Sequence, residues 1–293
     1  MVAVKLMGGL GNQMFQYAAG KALASRLNTI CLLDTGFLDA DPKGHYTKRH
    51  YELSAFEIQQ NIASADALKP FLKHPRNRYT LALQRSVPGL FNTVYFYEKG
   101  MEFQPAFNKL KGNVYLDGYW QSERYFQEQA VSVRKDFTCK GPVPAITGQW
   151  HQKIRETYAV SLHIRRGDYI SSKTDNEFHG TCTLAYYEAA IAYLKKYLPA
   201  FEVFLFSDDP EWCSANIHFT VPTHIVTQPD IANHWDLYLM ASCRHHIIAN
   251  SSFSWWGAWL NPDMDKQVIA PQKWFATHHK NTKDLIPASW IRL

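Results

Sequence analysis

From Ala159 to Ala270, short apolar runs alternate with helical stretches at close, even spacing. That rhythm constrains the fold more than any other feature, because adjacent parallel strands need a crossover, usually a helix, between them. Ala159–Ile164, Glu202–Phe206, His224–Thr227, His246–Ala249 and Val268–Ala270 read as strands. Leu184–Tyr197, a short helix opened by Asp209-Pro210, a helix across Trp235–Ala241 and one starting near Ser251 fall between them. The expectation is a doubly wound α/β sheet. The amino end follows the same pattern. Val2–Met7 reads as a strand, the stretch to about Leu27 as a helix with Phe15, Ala19, Leu23 and Leu27 spaced four apart, and Thr29–Leu33 as a strand. Asn113–Leu116 is a further strand, and Gly118–Phe126 leads from it into a helix with Ser122 as N-cap. Residues 40–110 mix Pro, basic residues and short apolar runs, and are expected to hold helices and long loops. Lys140-Gly-Pro-Val-Pro144 is the best linker. It divides the chain into domains 1–140 and 141–293, two Rossmann-like α/β halves expected to face each other across a cleft, with ligands beyond the carboxyl ends of the strands.

Composition excludes several classes. With 46% hydrophobic and 19% charged residues the chain can bury a real core. The five cysteines are widely spaced and form no CxxC pair, which argues against a disulfide framework or zinc site and for a reducing compartment. The start reads as a strand, not a signal peptide, and no run approaches the roughly 18 apolar residues of a membrane span. A cytoplasmic protein is expected. The formal charge of +5 reads as spread along the chain, without a Lys/Arg block, so nucleic acid is not an expected partner. It suits a protein that holds an anionic nucleotide, and also a peripheral seat at the inner leaflet of a membrane.

Four runs can carry chemistry. His163-Ile-Arg-Arg-Gly-Asp-Tyr169 directly follows a strand and puts two arginines, a histidine and an aspartate at its carboxyl end. An arginine fork matches phosphate oxygens in a bidentate way, although an internal Arg–Asp pair that only locks the loop would look the same in sequence. Ala249-Asn-Ser-Ser-Phe-Ser-Trp-Trp-Gly257 ends a strand in a polar turn that starts a helix. The N–H groups and dipole of such a start can hold an anion, and Ser251 or Ser252 can equally serve as a plain N-cap. Trp255, Trp256 and Trp259 read as core. In Phe206-Ser-Asp-Asp-Pro210, Asp208 could accept from guanine's N1–H and N2 amine. A helix N-cap or a metal-binding Asp pair are the alternatives there. Gly8-Gly-Leu-Gly-Asn12 allows a ligand close to the backbone, but it is neither a GxGxxG nor a P-loop. The pairs His245-His246 and His278-His279 lack the i, i+4 spacing of a helical metal site.

Together these runs resemble the bacterial α-1,2-fucosyltransferases almost end to end: Gly8–Ala18, Gly118–Glu123, His163–Tyr169, Phe206–Pro210 and Asn250–Gly257. The His-x-Arg-Arg-x-Asp run is shared with α-1,6- and protein O-fucosyltransferases. The resemblance implies a GT-B architecture with an N-terminal acceptor domain and a C-terminal GDP-fucose domain. It implies transfer of L-fucose from GDP-β-L-fucose to the 2-hydroxyl of a terminal β-galactose, with inversion and without metal or other cofactor, in O-antigen or oligosaccharide biosynthesis. By motif, Arg165 is the β-phosphate ligand, supported by His163 and Arg166, and Asp168 completes the catalytic set. Asp208 is the guanine reader, Asn250, Ser251, Ser252 and Phe253 line the donor site, and Gly9, Asn12, Gln13 and Trp120 face the acceptor, a galactose-terminated oligosaccharide or lipid-linked glycan. The general base stays open between Asp168, Asp175 and Glu177. A transferase of α-1,6-like linkage, a metal-dependent transferase using Asp208-Asp209 and a non-catalytic glycan-binding module are the competing readings.

Overall fold

A computed structural model describes residues 1–40, 48–73, 78–87, 90–166, 180–276 and 281–293. The chain divides into two units of contact, Met1–Thr138 with Asn281–Pro287, and Cys139–Lys280 with Ala288–Leu293.

The first unit is built on a parallel sheet of β1 (Val2–Lys5), β2 (Cys31–Asp34), β3 (Thr93–Tyr97) and β4 (Asn113–Asp117) in the order β2-β1-β4-β3. Helix α1 (Leu10–Arg26) follows β1, and its Phe15, Ala19 and Leu23 are at most 1% exposed. Burial is not confined to that stripe: Gln13, Met14, Gln16 and Ala18 are also fully buried, so α1 is packed on nearly every side. Short α2 (Gly36–Asp39), α3 (Ala65–Leu72) and α4 (Arg78–Ser86) follow β2, and α5 (Ala130–Asp136) ends the unit's first segment. The 40–110 region was expected to hold helices and loops; it also supplies β3, an edge strand whose run Thr-Val-Tyr-Phe-Tyr is β-branched and aromatic throughout. Tyr95 stacks on Tyr115 of β4 at 5.0 Å across this pair.

The second unit opens with α6 (Ala145–Glu156) and carries β5 (Ala159–Ile164), α7 (Leu184–Tyr197), β6 (Glu202–Ser207), α8 (Pro210–Asn216), β7 (Thr223–Ile225), α9 (His234–Ser242), β8 (His245–Ile247), α10 (Ser252–Leu260), β9 (Val268–Ala270) and β10 (Ile291–Arg292). Its six strands are all parallel, in the order β10-β9-β8-β5-β6-β7. Counting from β5, that is the doubly wound order 3-2-1-4-5-6, which reverses direction between β5 and β8. Every residue of β5 is buried, as a central parallel strand requires. Trp255, Trp256 and Trp259 are at most 3% exposed and form an aromatic cluster with Trp290, so they are core. Among the described residues no helix is long and apolar enough to cross a membrane.

Candidate active site

The second unit's sheet reverses between β5 and β8, and in open α/β sheets that crevice is where ligands bind. Two of the four sequence runs leave the sheet there, and a third leaves beside them. The parallel register sets His163 against Phe206 and Ile164 against Ser207, so the two arginines beyond β5 emerge next to the two aspartates beyond β6. Arg165 Nη1 lies 2.9 Å from Asp208 Oδ2, and the backbone N–H of Arg166 donates to Asp208 Oδ1 at 2.9 Å. Arg166 Nε donates to Asp209 Oδ2 at 3.2 Å, while its guanidinium carbon sits 3.5 Å from the ring centre of Trp212. Asp209 also caps α8 by accepting from the Trp212 N–H at 3.1 Å. The arginine pair is thus braced by an aspartate pair and one aromatic face. A cavity of about 200 Å³ opens beside it, lined by Ile164, Arg165, Arg166, Cys182, Tyr187 and Trp212.

His163 behaves differently from the sequence expectation of a cationic cluster. It is 4% exposed, its ring 5.7 Å from that of Phe253 at the start of α10. Burial, with Arg165 adding repulsion, pushes its pKa down to about 3, so the imidazole is neutral and supplies shape, not charge. On the β8 side, Ser251 caps α10, its hydroxyl accepting from the Phe253 N–H at 3.3 Å. The first turn of any helix leaves N–H groups with no acceptor inside the helix, and Ser252 and Phe253 belong to that turn. Asn250 is 3% exposed, and its Nδ2 donates to the carbonyls of Gly180 and Trp274 at 3.0 and 3.2 Å. It therefore pins the loop leaving β8 and does not present its amide to a ligand. Asp168, Asp175 and Glu177 lie outside the described residues.

In the first unit the sheet reverses between β1 and β4, and the turn Gly8–Gly9 with the first residues of α1, and the loop Gly118–Gln121, follow those strands. Gly8 has φ +77, and a Cβ there would lie 2.5 Å from Asn12 Nδ2, so only glycine lets the Asn12 carboxamide fold over the loop. Asn12 Oδ1 accepts from Gln121 Nε2 at 2.7 Å. Gly9 has an extended backbone and only the Arg49 guanidinium, 3.9 Å away, near the place of its missing Cβ.

Gln13 and Trp120 were expected to face an acceptor, and their side chains turn inward. Gln13 is wholly buried, donating to the carbonyls of Gly8 and His50 at 2.9 and 2.7 Å and accepting from the Glu52 N–H at 3.0 Å. Trp120, also 0% exposed, stacks on Phe96 at 5.8 Å in an aromatic cluster with Phe107 and Tyr125. Its backbone has φ +55, and Glu98 Oε2 holds that turn by accepting from the N–H groups of Tyr119 and Trp120 at 2.7 and 3.0 Å. Glu98 is 7% exposed, and burial raises its carboxyl from 4.5 to about 7. Gln121, Glu98 and Trp212 are the residues the sequence reading missed. Gln121 lies inside the Gly118–Glu123 run and Trp212 one turn beyond Asp208-Asp209, so both carried a signal. Glu98 carried none.

The sequence profile of glycosyl transferase family 11 matches residues 1–293. An α-1,2-colitosyltransferase of Escherichia coli is 35% identical, over 100% of this chain and 99% of that one. The O-antigen biosynthesis glycosyltransferase WbnK of Escherichia coli is 33% identical, over 98% and 99% of the two chains. Among solved structures, a mutant of Arabidopsis thaliana FUT1 in complex with GDP aligns over 91% of this chain and 69% of that one, at 12% identity and a TM-score of 0.51, a likeness of fold.

Proposed function

The chain belongs to glycosyl transferase family 11, and from that premise we propose that it is an inverting α-1,2-fucosyltransferase using GDP-β-L-fucose and a terminal β-galactose. The fold is GT-B-like. The observation that carries the reading is the arginine pair at the reversal point of a doubly wound sheet, braced by Asp208, Asp209 and Trp212. As the fucosyl C1–O bond breaks, its electron pair goes to the β-phosphate, and a cation fixed there beforehand stabilises the transition state more than the ground state. Arg165 is assigned to that oxygen, with Arg166 and the α10 start sharing the diphosphate charge. The acceptor's O2 attacks C1 from the opposite face and gives its proton to a carboxylate of the segment after Arg166, Asp168 or its neighbours Asp175 and Glu177. Because both aspartates beyond β6 already engage arginines, charge compensation in this reading comes from side chains and no metal is required. Asp208 is a positioning residue for Arg165 first. The resemblance to the fucosyltransferases assigns it to guanine as well. Asn12 and Gln121 face the acceptor in the first unit, one amide offering a donor and the other an acceptor to sugar hydroxyls.

A second reading is favoured by the full-length likeness to a colitosyltransferase: the donor sugar is colitose, the 3-deoxy counterpart of fucose. A site that hydrogen-bonds the fucose 3-hydroxyl would reject the deoxy donor by about 10⁴-fold, whereas an apolar one discriminates only about 10²-fold. Purified enzyme with each GDP-sugar and a panel of β-galactosides, with and without EDTA, decides the matter, the product linkage being assigned by NMR. An α-1,2-fucosyl product that survives chelation is expected. No turnover of GDP-fucose, a different linkage, or turnover that requires added metal would overturn the respective part.

A further inference from the structure

The turn that leaves β4 is held in an unfavourable shape. Trp120 has φ +55, a left-handed conformation that a bulky side chain seldom adopts. Its indole N–H is buried and meets no acceptor among the described residues, which leaves a desolvated donor uncompensated. Gly118 passes so close to Glu98 that a Cβ on it would lie 2.4 Å from Glu98 Cβ and 2.8 Å from Oε2. Strain of this kind persists only where the surroundings impose it, and it collects at functional sites.

Glu98 imposes it here. It follows the last residue of β3, and its N–H donates to the Asp117 carbonyl at 2.9 Å, so its backbone extends the pairing of β3 with β4. From that fixed base, one carboxylate oxygen accepts from the N–H groups of both Tyr119 and Trp120. Two consecutive donors converging on one atom lock the turn. The next residue is Gln121, whose Nε2 donates to Asn12 Oδ1 at 2.7 Å. Both amides are half-buried, and the contact leaves Gln121 Oε1 and Asn12 Nδ2 to meet sugar hydroxyls.

We propose that Glu98 is a positioning residue for the acceptor. By fixing the turn at Tyr119 and Trp120 it sets how Gln121 meets Asn12, and so the affinity for the acceptor sugar. Glu98 is 7% exposed and acts through Gln121. The inference rests on the placement of the acceptor at Asn12 and Gln121, and does not depend on which nucleotide sugar is the donor. The groups assigned to the donor belong to the second unit, so donor affinity should not respond to Glu98. A merely structural role would lower stability and leave both KM values alone. Reach is the property that matters: aspartate withdraws the carboxylate by one methylene, whereas glutamine keeps an acceptor at the same distance.

The test is steady-state kinetics with a soluble β-galactoside and the nucleotide sugar that the enzyme turns over. Glu98→Asp should raise the acceptor KM about five- to tenfold, the worth of one lost hydrogen bond. The nucleotide-sugar KM, and kcat at saturating acceptor, should stay within about twofold of wild type, as for loss of uniform acceptor binding. Glu98→Gln should restore the wild-type acceptor KM. Gln121→Ala should raise it as Glu98→Asp does, and the double variant should be little worse than either alone. Glu98→Met, of similar reach but without an acceptor, takes the place of Glu98→Asp should that variant not fold. A normal acceptor KM in Gln121→Ala removes the acceptor from this turn and the proposal with it. A raised KM in Gln121→Ala beside a normal one in folded Glu98→Asp overturns the role of Glu98 alone. So do effects that multiply in the double variant, or a nucleotide-sugar KM that rises as much as the acceptor's.

Discussion

Arg165 and Asp208 are 2.9 Å apart, and that contact sharpens what each substitution should do. Loss of a preorganised donor to a developing oxyanion typically costs about 3–4 kcal/mol, so Arg165→Ala should lower kcat about 10²–10³-fold without lowering Tm. Arg165→Lys should be impaired nearly as much, because the charge remains and the fork is lost. Steady-state kinetics and a melting curve on the same preparations check both; a folded variant keeping more than about a tenth of kcat would refute the role. Asp208→Asn separates bracing from base reading. If Asp208 positions Arg165, kcat falls and the loss in the double variant with Arg165→Ala is far from additive. A rise in KM for the GDP-sugar with kcat intact would instead assign it to guanine. At this scale the sequence was legible where residue type alone fixes the chemistry, as with the arginines. It was not legible where side-chain direction decides. Trp120 lies inward because its φ of +55 turns the chain over Glu98, and Gln13 because three backbone groups need its amide. Neither a positive φ nor a distant backbone partner such as His50 is written in local spacing.

Glu98 ties the end of β3 to the turn leaving β4, and so makes an element-scale joint sensitive to protons. Its carboxyl is raised from 4.5 to about 7 by burial, against the pull of the Trp120 and Tyr119 N–H groups and of Arg85. A group whose folded pKa is raised contributes stability below its unfolded value and loses it as pH rises through the folded one. Between pH 4.5 and about 7 the joint should therefore weaken. Glu98→Gln keeps an acceptor for both N–H groups and removes the titration. Its urea midpoint should gain on wild type as pH rises across that window, and a pH-independent difference would show Glu98 to ionise normally. Among the elements, β5, α7 and β9 stand where apolar periodicity and turn residues put them. Strand β3 escaped because its five residues sit alone in a stretch of basic and proline residues, and its pairing with β4 is a tertiary event. The α4 region was opaque for a related reason: its buried residue is a glutamine, so its hydrophobic pattern points away from the core.

On the scale of the whole molecule, the last thirteen residues serve both units. Asn281–Pro287 belongs to the first and Ala288–Leu293 to the second. Asp284 accepts from the Phe103 N–H at 3.0 Å and pairs with Arg124 at 2.7 Å, while its carbonyl accepts from the Ser122 hydroxyl at 2.6 Å. Arg124 is half exposed, so the ion pair adds little, and the buried N–H is the greater part. Asp284→Ala should destabilise the protein by about 1–3 kcal/mol, read as a lower urea midpoint, while turnover of the folded enzyme is kept. An unchanged midpoint would mean that water replaces the carboxylate. Nothing in the composition of the carboxyl end announces this return. The chain first passes from one unit to the other after Thr138, just ahead of the Lys140–Pro144 run. Because the chain passes between its units three times, near residues 138, 280 and 287, neither unit is a single stretch of gene. One recombination event cannot hand over a complete half without stripping the other of its final segment.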